Sequence, residues 1–201
     1  MIEYSLNQEA IVARPLSDKK REAILAAAAK VVASEGVGGS IAKIAKAAGV
    51  AEGTIFTYFD DKEALLNELY LSIKADLAGV MTTGLPSRKP LKARCQHVWE
   101  RYIDWGHTHA PLRKAMGQLA VSERISPTTK EIGTAAFSDV AGLLDELAAT
   151  GALRGQSLEF VGAVMESIAE TTLTFIAREP ARVDDYRRSG FEAFWGAVSK
   201  E

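Results

Sequence analysis

Apolar residues recur at three- and four-residue spacing along most of the chain, and no segment alternates with period two. The pattern predicts an all-α fold of about nine helices. Ser17 is placed to cap a first helix whose stripe is Ile24, Leu25, Ala28, Val31 and Val32, with Gly36 as its stop. Ser40 caps Ile41 to Ala48, Gly49 turns the chain, and a further helix runs from Ala51 to Phe59. Asp60 with Glu63 resembles a capping box for a longer helix through Leu65, Leu66, Leu69, Tyr70, Ile73 and Leu77.

After a Gly- and Pro-rich break over 82–90, a stripe of Leu91, Cys95, Val98, Trp99, Tyr102 and Trp105 predicts a helix that breaks around 106–111. A short helix around Leu112, Met116 and Leu119 follows. Ser126-Pro127 then opens one helix through Ile132, Ala136, Val140, Leu143 and Leu147 to Gly151. The last two helices run from Leu158 to Arg178, apolar on more than one face, and from about Val183 to Val198. The chain is accordingly divided into a flexible arm over 1–16, a helix-turn-helix unit over 17–62 and a helical body over 63–201.

Composition narrows the class without naming a partner. With 47% hydrophobic and 25% charged residues, the chain can bury a sizeable core. Its start lacks the basic region and apolar run of a secretory signal, and no stretch reads as a membrane span, so a cytoplasmic protein with no membrane partner is expected. The single cysteine, Cys95, excludes an internal disulfide and reads as a buried thiol. A net charge of −2 gives no bulk signal for nucleic acid, so such a signal must be local.

That local signal lies in Ile41 to Leu66. A close helix crossing needs a small residue, supplied by Ala45, and a tight turn needs one that tolerates positive φ, supplied by Gly49. Val50 and Ile55 fill the space beneath, so Glu52, Gly53, Phe56 and Thr57 face outward, where a major groove could receive them. Thr54, Tyr58 and Lys62 add hydroxyl and ammonium donors for phosphates, and Ser40 and Lys43 lie at the start of the preceding helix. The Glu52 carboxylate can accept from a cytosine amine or stand as a solvent-facing charge at the helix start; the sequence leaves both open.

Ile44-Ala45 through Gly49-Val50, Gly53 to Phe59 and Lys62 to Leu66 resemble the DNA-binding domain of the TetR family of bacterial transcriptional regulators. The resemblance covers roughly Ser17 to Leu69, with Ala51 where Ser or Thr is frequent and Phe56 where Tyr is frequent. It implies a homodimeric regulator, most simply a repressor, bound to double-stranded operator DNA and released by a small apolar or amphipathic effector. It also implies that the last two helices form the dimer interface.

In the body, Trp99, Tyr102, Trp105, Met116, Phe137, Met165 and Phe175 are candidates to line an effector pocket; plain core packing fits the same residues. Leu158, Val161, Met165, Ile168, Phe191, Phe194 and Trp195 are candidates for the dimer face, with packing inside one subunit as the alternative. His107 and His109, two apart on a helix, do not face each other, so no metal or other cofactor is expected. The chain carries no catalytic signature and is read as a non-enzyme. Two other classes are a helical small-molecule-binding protein with a vestigial reader, and a protein adaptor using the Phe191 to Trp195 face.

Overall fold

The computed structural model describes residues 17–199, so the predicted arm over 1–16 lies outside the described residues. Among the described residues there are ten α-helices, one 3-10 turn at Pro180–Arg182 and no strand. Helix α1 spans Asp18–Glu35, α2 Ile41–Ala48, α3 Glu52–Tyr58 and α4 Lys62–Thr82. The body continues with α5 Leu91–Thr108, α6 Ala110–Ala120, α7 Pro127–Ala135, α8 Ser138–Thr150, α9 Leu158–Arg178 and α10 Val183–Val198.

The local signals act at the atoms expected in most places. Ser40 Oγ accepts from the Lys43 amide at 3.3 Å, satisfying one orphan donor at the start of α2. At its end Gly49 adopts φ 68°, and the Val50 amide reaches back to the Ala45 carbonyl at 3.0 Å, closing the turn that redirects the chain into α3. Ala51 precedes α3 and makes no side-chain cap.

Three expectations about element ends are corrected. The cap of α4 is Asp61, whose carboxylate accepts from the Ala64 amide at 2.7 Å, and not Asp60; the helix starts one residue later than the capping-box spacing suggests. Ser17 makes no side-chain cap to α1. The single helix expected from Ser126 to Gly151 is two, because Phe137 leaves helical geometry at φ −98° and ψ 20°. Helix α7 packs on α4, where a Cβ on Gly133 would sit 2.7 Å from Tyr70 Cε1, whereas α8 packs chiefly on α5 and α9 and less on α4.

One continuous core runs through the molecule, from Ile24 of α1 through Ile44, Ile55 and Leu66 to Trp99, Leu119, Ile176 and Phe194. Helix α4 lies against α1, α5, α6 and α7, while α6 also packs along α1, so the first three helices are seated on the body through two elements. Helix α9 has the length and hydropathy to cross a membrane, contrary to the expectation that no segment does. Here its Val161, Met165, Ala169, Leu173 and Ile176 are buried against α5, α8 and α10.

Cys95 is buried on α5, and loss of hydration pushes its thiol up to about 11 from an ordinary value near 9.0, so at neutral pH it is a small apolar side chain.

Candidate nucleic-acid interface

The outer face of α3 is built by what lies beneath it. Ile55 is fully buried, which turns Glu52, Gly53, Phe56 and Thr57 outward; all four are exposed. Phe56 keeps 51% of its surface exposed while Phe59, three residues on, is only 3% exposed. Nothing lies within 4 Å of where a Gly53 Cβ would be, leaving the backbone of α3 open to close approach. Thr57 Oγ1 donates back to the Gly53 carbonyl at 3.3 Å.

The polar candidates flank that face. Tyr58 is half-buried and its hydroxyl oxygen accepts from the Ser17 amide at 3.1 Å; among the described residues none accepts from its phenolic O–H. This tie between the start of α1 and the end of α3 has no local sequence signal. Thr54 is half-buried beside it. Lys43 is exposed on α2 and paired with Glu35 at 2.7 Å. Lys62, at the first position of α4, is half-buried, and burial together with the Arg124 charge holds its pKa below the ordinary lysine value.

Arg124 belongs to a second feature invisible in the sequence. The Asn67 side-chain amide donates to the Glu63 carbonyl at 2.7 Å and to the Arg124 carbonyl at 2.9 Å, and its oxygen accepts from the Ser126 amide at 3.0 Å. Arg124 also reaches Glu63 at 3.6 Å. The α6–α7 connection is thereby fastened to the first turns of α4. Replacing Asn67 with alanine removes these bonds where water can take their place, and should cost about 0.5–1.5 kcal/mol. Urea denaturation checks this; an unchanged midpoint would show that the clamp contributes nothing.

The body candidates do not converge on one cavity. Trp99 is fully buried, its ring stacked on Phe194 at 6.0 Å and 6°, and its N–H donates to the Arg187 carbonyl at 3.0 Å. Trp105 donates to the Asp76 carboxylate at 2.7 Å, and Tyr102 donates to Glu170 at 3.4 Å. All three are buried, with their polar ends satisfied by the chain itself. Phe175 lies on the surface against Tyr186, and Phe137 packs beneath the Lys74 ammonium at 5.0 Å.

Met165 borders a cavity of about 10 Å³ between Cys95, Val98, Leu143 and Phe194, too small for more than a water. Met116 borders a larger cleft of about 320 Å³ with Arg113, Lys114, Gly117, Gln118, Glu166 and Glu170. In that cleft Arg113 is paired with Glu170, while its Nε is buried without a partner. The charged lining carried no helical apolar period, and sequence reasoning missed it.

The dimer candidates also change. Val161, Met165, Phe191 and Phe194 are buried in the chain's own core, at 0%, 7%, 4% and 1% exposure. Leu158, Ile168 and Trp195 are half-buried. The face that α9 leaves open carries Phe160, Ala163, Ser167 and Thr171, and α10 presents Ser189, Ala193 and Gly196.

Residues 24–69 match the family model described as bacterial regulatory proteins, tetR family. A tetR-family regulator of known structure from Shewanella sp. PV-4 superposes with a TM-score of 0.79 at 26% identity, covering 90% of this chain and 99% of that one. Over residues 24–69 the chain carries the DNA-binding region of the TetR family. The matched residues are those of α1 to α4 that build the helix-turn-helix described above.

The HTH-type transcriptional repressor KstR2 of Rhodococcus jostii (strain RHA1) is 29% identical over 113 residues, 53% of this chain. That match spans only 55% of KstR2, just over half its length. FadR from Bacillus subtilis, solved in complex with stearoyl-CoA, shares the fold with a TM-score of 0.66 at 19% identity, covering 88% of this chain and 98% of that one.

Proposed function

We propose that this chain acts as a homodimeric repressor: α3 of each copy enters a major groove of a two-fold operator, and a small amphipathic effector in the body releases it. The observation that carries the reading is the exposed outer face of α3, with Gly53 bare, Phe56 and Thr57 outward and Ile55 fully buried beneath. A helix lying in a groove needs that arrangement, and a core hairpin does not. Residues 17–62 are assigned as the reader and the helices after it as the body.

The second copy is assigned to the open face of α9 and α10. Ala163, Ser167, Ala193 and Gly196 are exposed and small, which lets helices from two subunits approach closely, and Phe160 supplies an apolar anchor. Two readers spaced by that bundle would meet successive half-sites.

The effector is assigned to the cleft beside α6. Its volume of about 320 Å³ is at the lower end of small-molecule sites, and Met116 beside Arg113, Glu166 and Glu170 suits a ligand with both apolar and polar parts. The stearoyl-CoA bound by the FadR relative supports an amphipathic class. A ligand wedging Arg113 and Met116 would move α6, whose far end leads into the Arg124 to Ser126 segment fastened to Asn67 of α4. A coupling of about 1–3 kcal/mol would weaken operator binding roughly 5- to 150-fold.

The test is fluorescence anisotropy of the full chain against tiled duplexes from the DNA flanking its own gene, at a stated salt concentration. Tight binding centred on a palindrome is expected, and Tyr58→Phe, which removes only the hydroxyl, should weaken it about tenfold through loss of a charge-assisted phosphate contact. Binding at the non-specific level for every duplex, indifferent to Tyr58→Phe, would count against the reading.

A further inference from the structure

Hydrogen-bonding groups are scarce on the face that α3 turns outward. Gly53 contributes no side chain. The Thr57 hydroxyl hydrogen is directed to the Gly53 carbonyl, so Thr57 offers the groove its methyl group and an oxygen that can accept but not donate. Phe56 has no polar atom and is half exposed, while the fold takes its aromatic packing at this end of the helix from Phe59. Glu52, in the first turn, and the Thr57 oxygen are the outward side-chain acceptors on α3.

On the major-groove edge of a base pair, adenine, guanine and cytosine display donors and acceptors, whereas thymine adds an apolar C5-methyl group. A donor or acceptor facing a phenylalanine ring would lose its water without gaining a partner. A methyl facing that ring loses only unfavourable hydration. We infer that this chain reads its operator in large part through thymine methyl groups, one under the Phe56 ring and a neighbouring one against the Thr57 methyl. The inference rests on the DNA-binding reading above and deepens it by naming the base and the atom recognised.

Because Gly53 precedes Phe56 by three residues and Thr57 by four, the bare position lies beside both on the helix surface, and both side chains can lie low against the groove floor. Specificity at these positions is then apolar contact without hydrogen bonds. Its size per base pair is set by one buried methyl group, about a fourfold change in affinity.

The experiment removes that methyl and nothing else. The wild-type chain selects its operator from a pool of random duplexes, and each thymidine in the selected site is then replaced by deoxyuridine, one position per half-site. At one position deoxyuridine should weaken binding about fourfold per half-site, roughly fifteenfold when both half-sites are changed. With Phe56→Ala, which alters an exposed residue and should leave the melting curve unchanged, that penalty should vanish. With Thr57→Ser, which keeps the hydroxyl, the penalty should vanish at the neighbouring thymidine.

Affinity within twofold for every deoxyuridine duplex, with the operator still bound tightly, would overturn the inference and leave the regulator reading standing. A penalty that persists undiminished in Phe56→Ala would overturn the Phe56 assignment. Failure of the wild-type chain to select any sequence would remove the DNA-binding reading and this inference together.

Discussion

Arginine in place of Ala163 should give a folded monomer whose operator affinity has fallen by about 10²–10⁴-fold. Ala163 is exposed on the open face of α9, so the protomer itself can accept the longer side chain. In the proposed four-helix interface the same guanidinium would hold the helices apart at their small-residue contact and lose its water beside Phe160 and Ser167, at a cost of several kcal/mol. Separating the subunits makes the second half-site contact intermolecular, and the factor lost is the effective-concentration gain of a linked pair.

Sedimentation velocity and anisotropy against the selected operator check both halves of this prediction. A dimer that persists would place the interface elsewhere. A monomer that binds as tightly as the wild type would show that a single reader suffices. The candidates taken from the apolar stripe offer no such test: removing Phe194 or Val161 would damage the core of one subunit before it touched a second.

Trp99→Ala should destabilise the chain by roughly 3–5 kcal/mol, a large share of the ~5–15 kcal/mol that holds a domain folded. Trp99 is fully buried between α5 and α10, stacked on Phe194 and tilted against Phe191 at 6.4 Å. Its ring also defines how closely α10 approaches, because a Cβ on Gly190 would lie 2.7 Å from Trp99 Cζ2. Neighbouring side chains can collapse only partly into the space left behind. Thermal denaturation followed by circular dichroism should show a fall in Tm of roughly 10 °C. A shift below about 2 °C would mean that Trp99 is not the wedge described. Phe160→Ala, on the open face, should change protomer stability by no more than about 0.5 kcal/mol.

Much of the molecule was legible in the amino-acid order because its signals are local. The apolar period of three and four residues reports a helix wherever one face is buried, and it located α1 to α6, α9 and α10. Gly49 was readable as a left-handed turn and Ser40 as a cap, since both act on backbone atoms within a few residues. The outward set on α3 followed from Ile55 alone, because a seven-residue helix has one buried side.

Tertiary structure decided everything that depends on which neighbour arrives. A period shows that α9 is apolar but cannot choose among its apolar faces; packing against α5, α8 and α10 buries Val161 and Met165 and leaves Phe160 and Ala163 open. Trp99 and Trp105 became core when Arg187 and Asp76 satisfied their N–H groups from other helices. The stripe through Ile132 and Val140 kept its period across the break at Phe137, since a single irregular residue barely changes the phase that a periodic pattern reports. The Asn67 clamp joins groups 57 and 59 residues apart, and the Tyr58 to Ser17 bond spans 41. Hydrogen bonds over such separations leave no trace in local residue order, because the chain's global path alone brings their partners within reach.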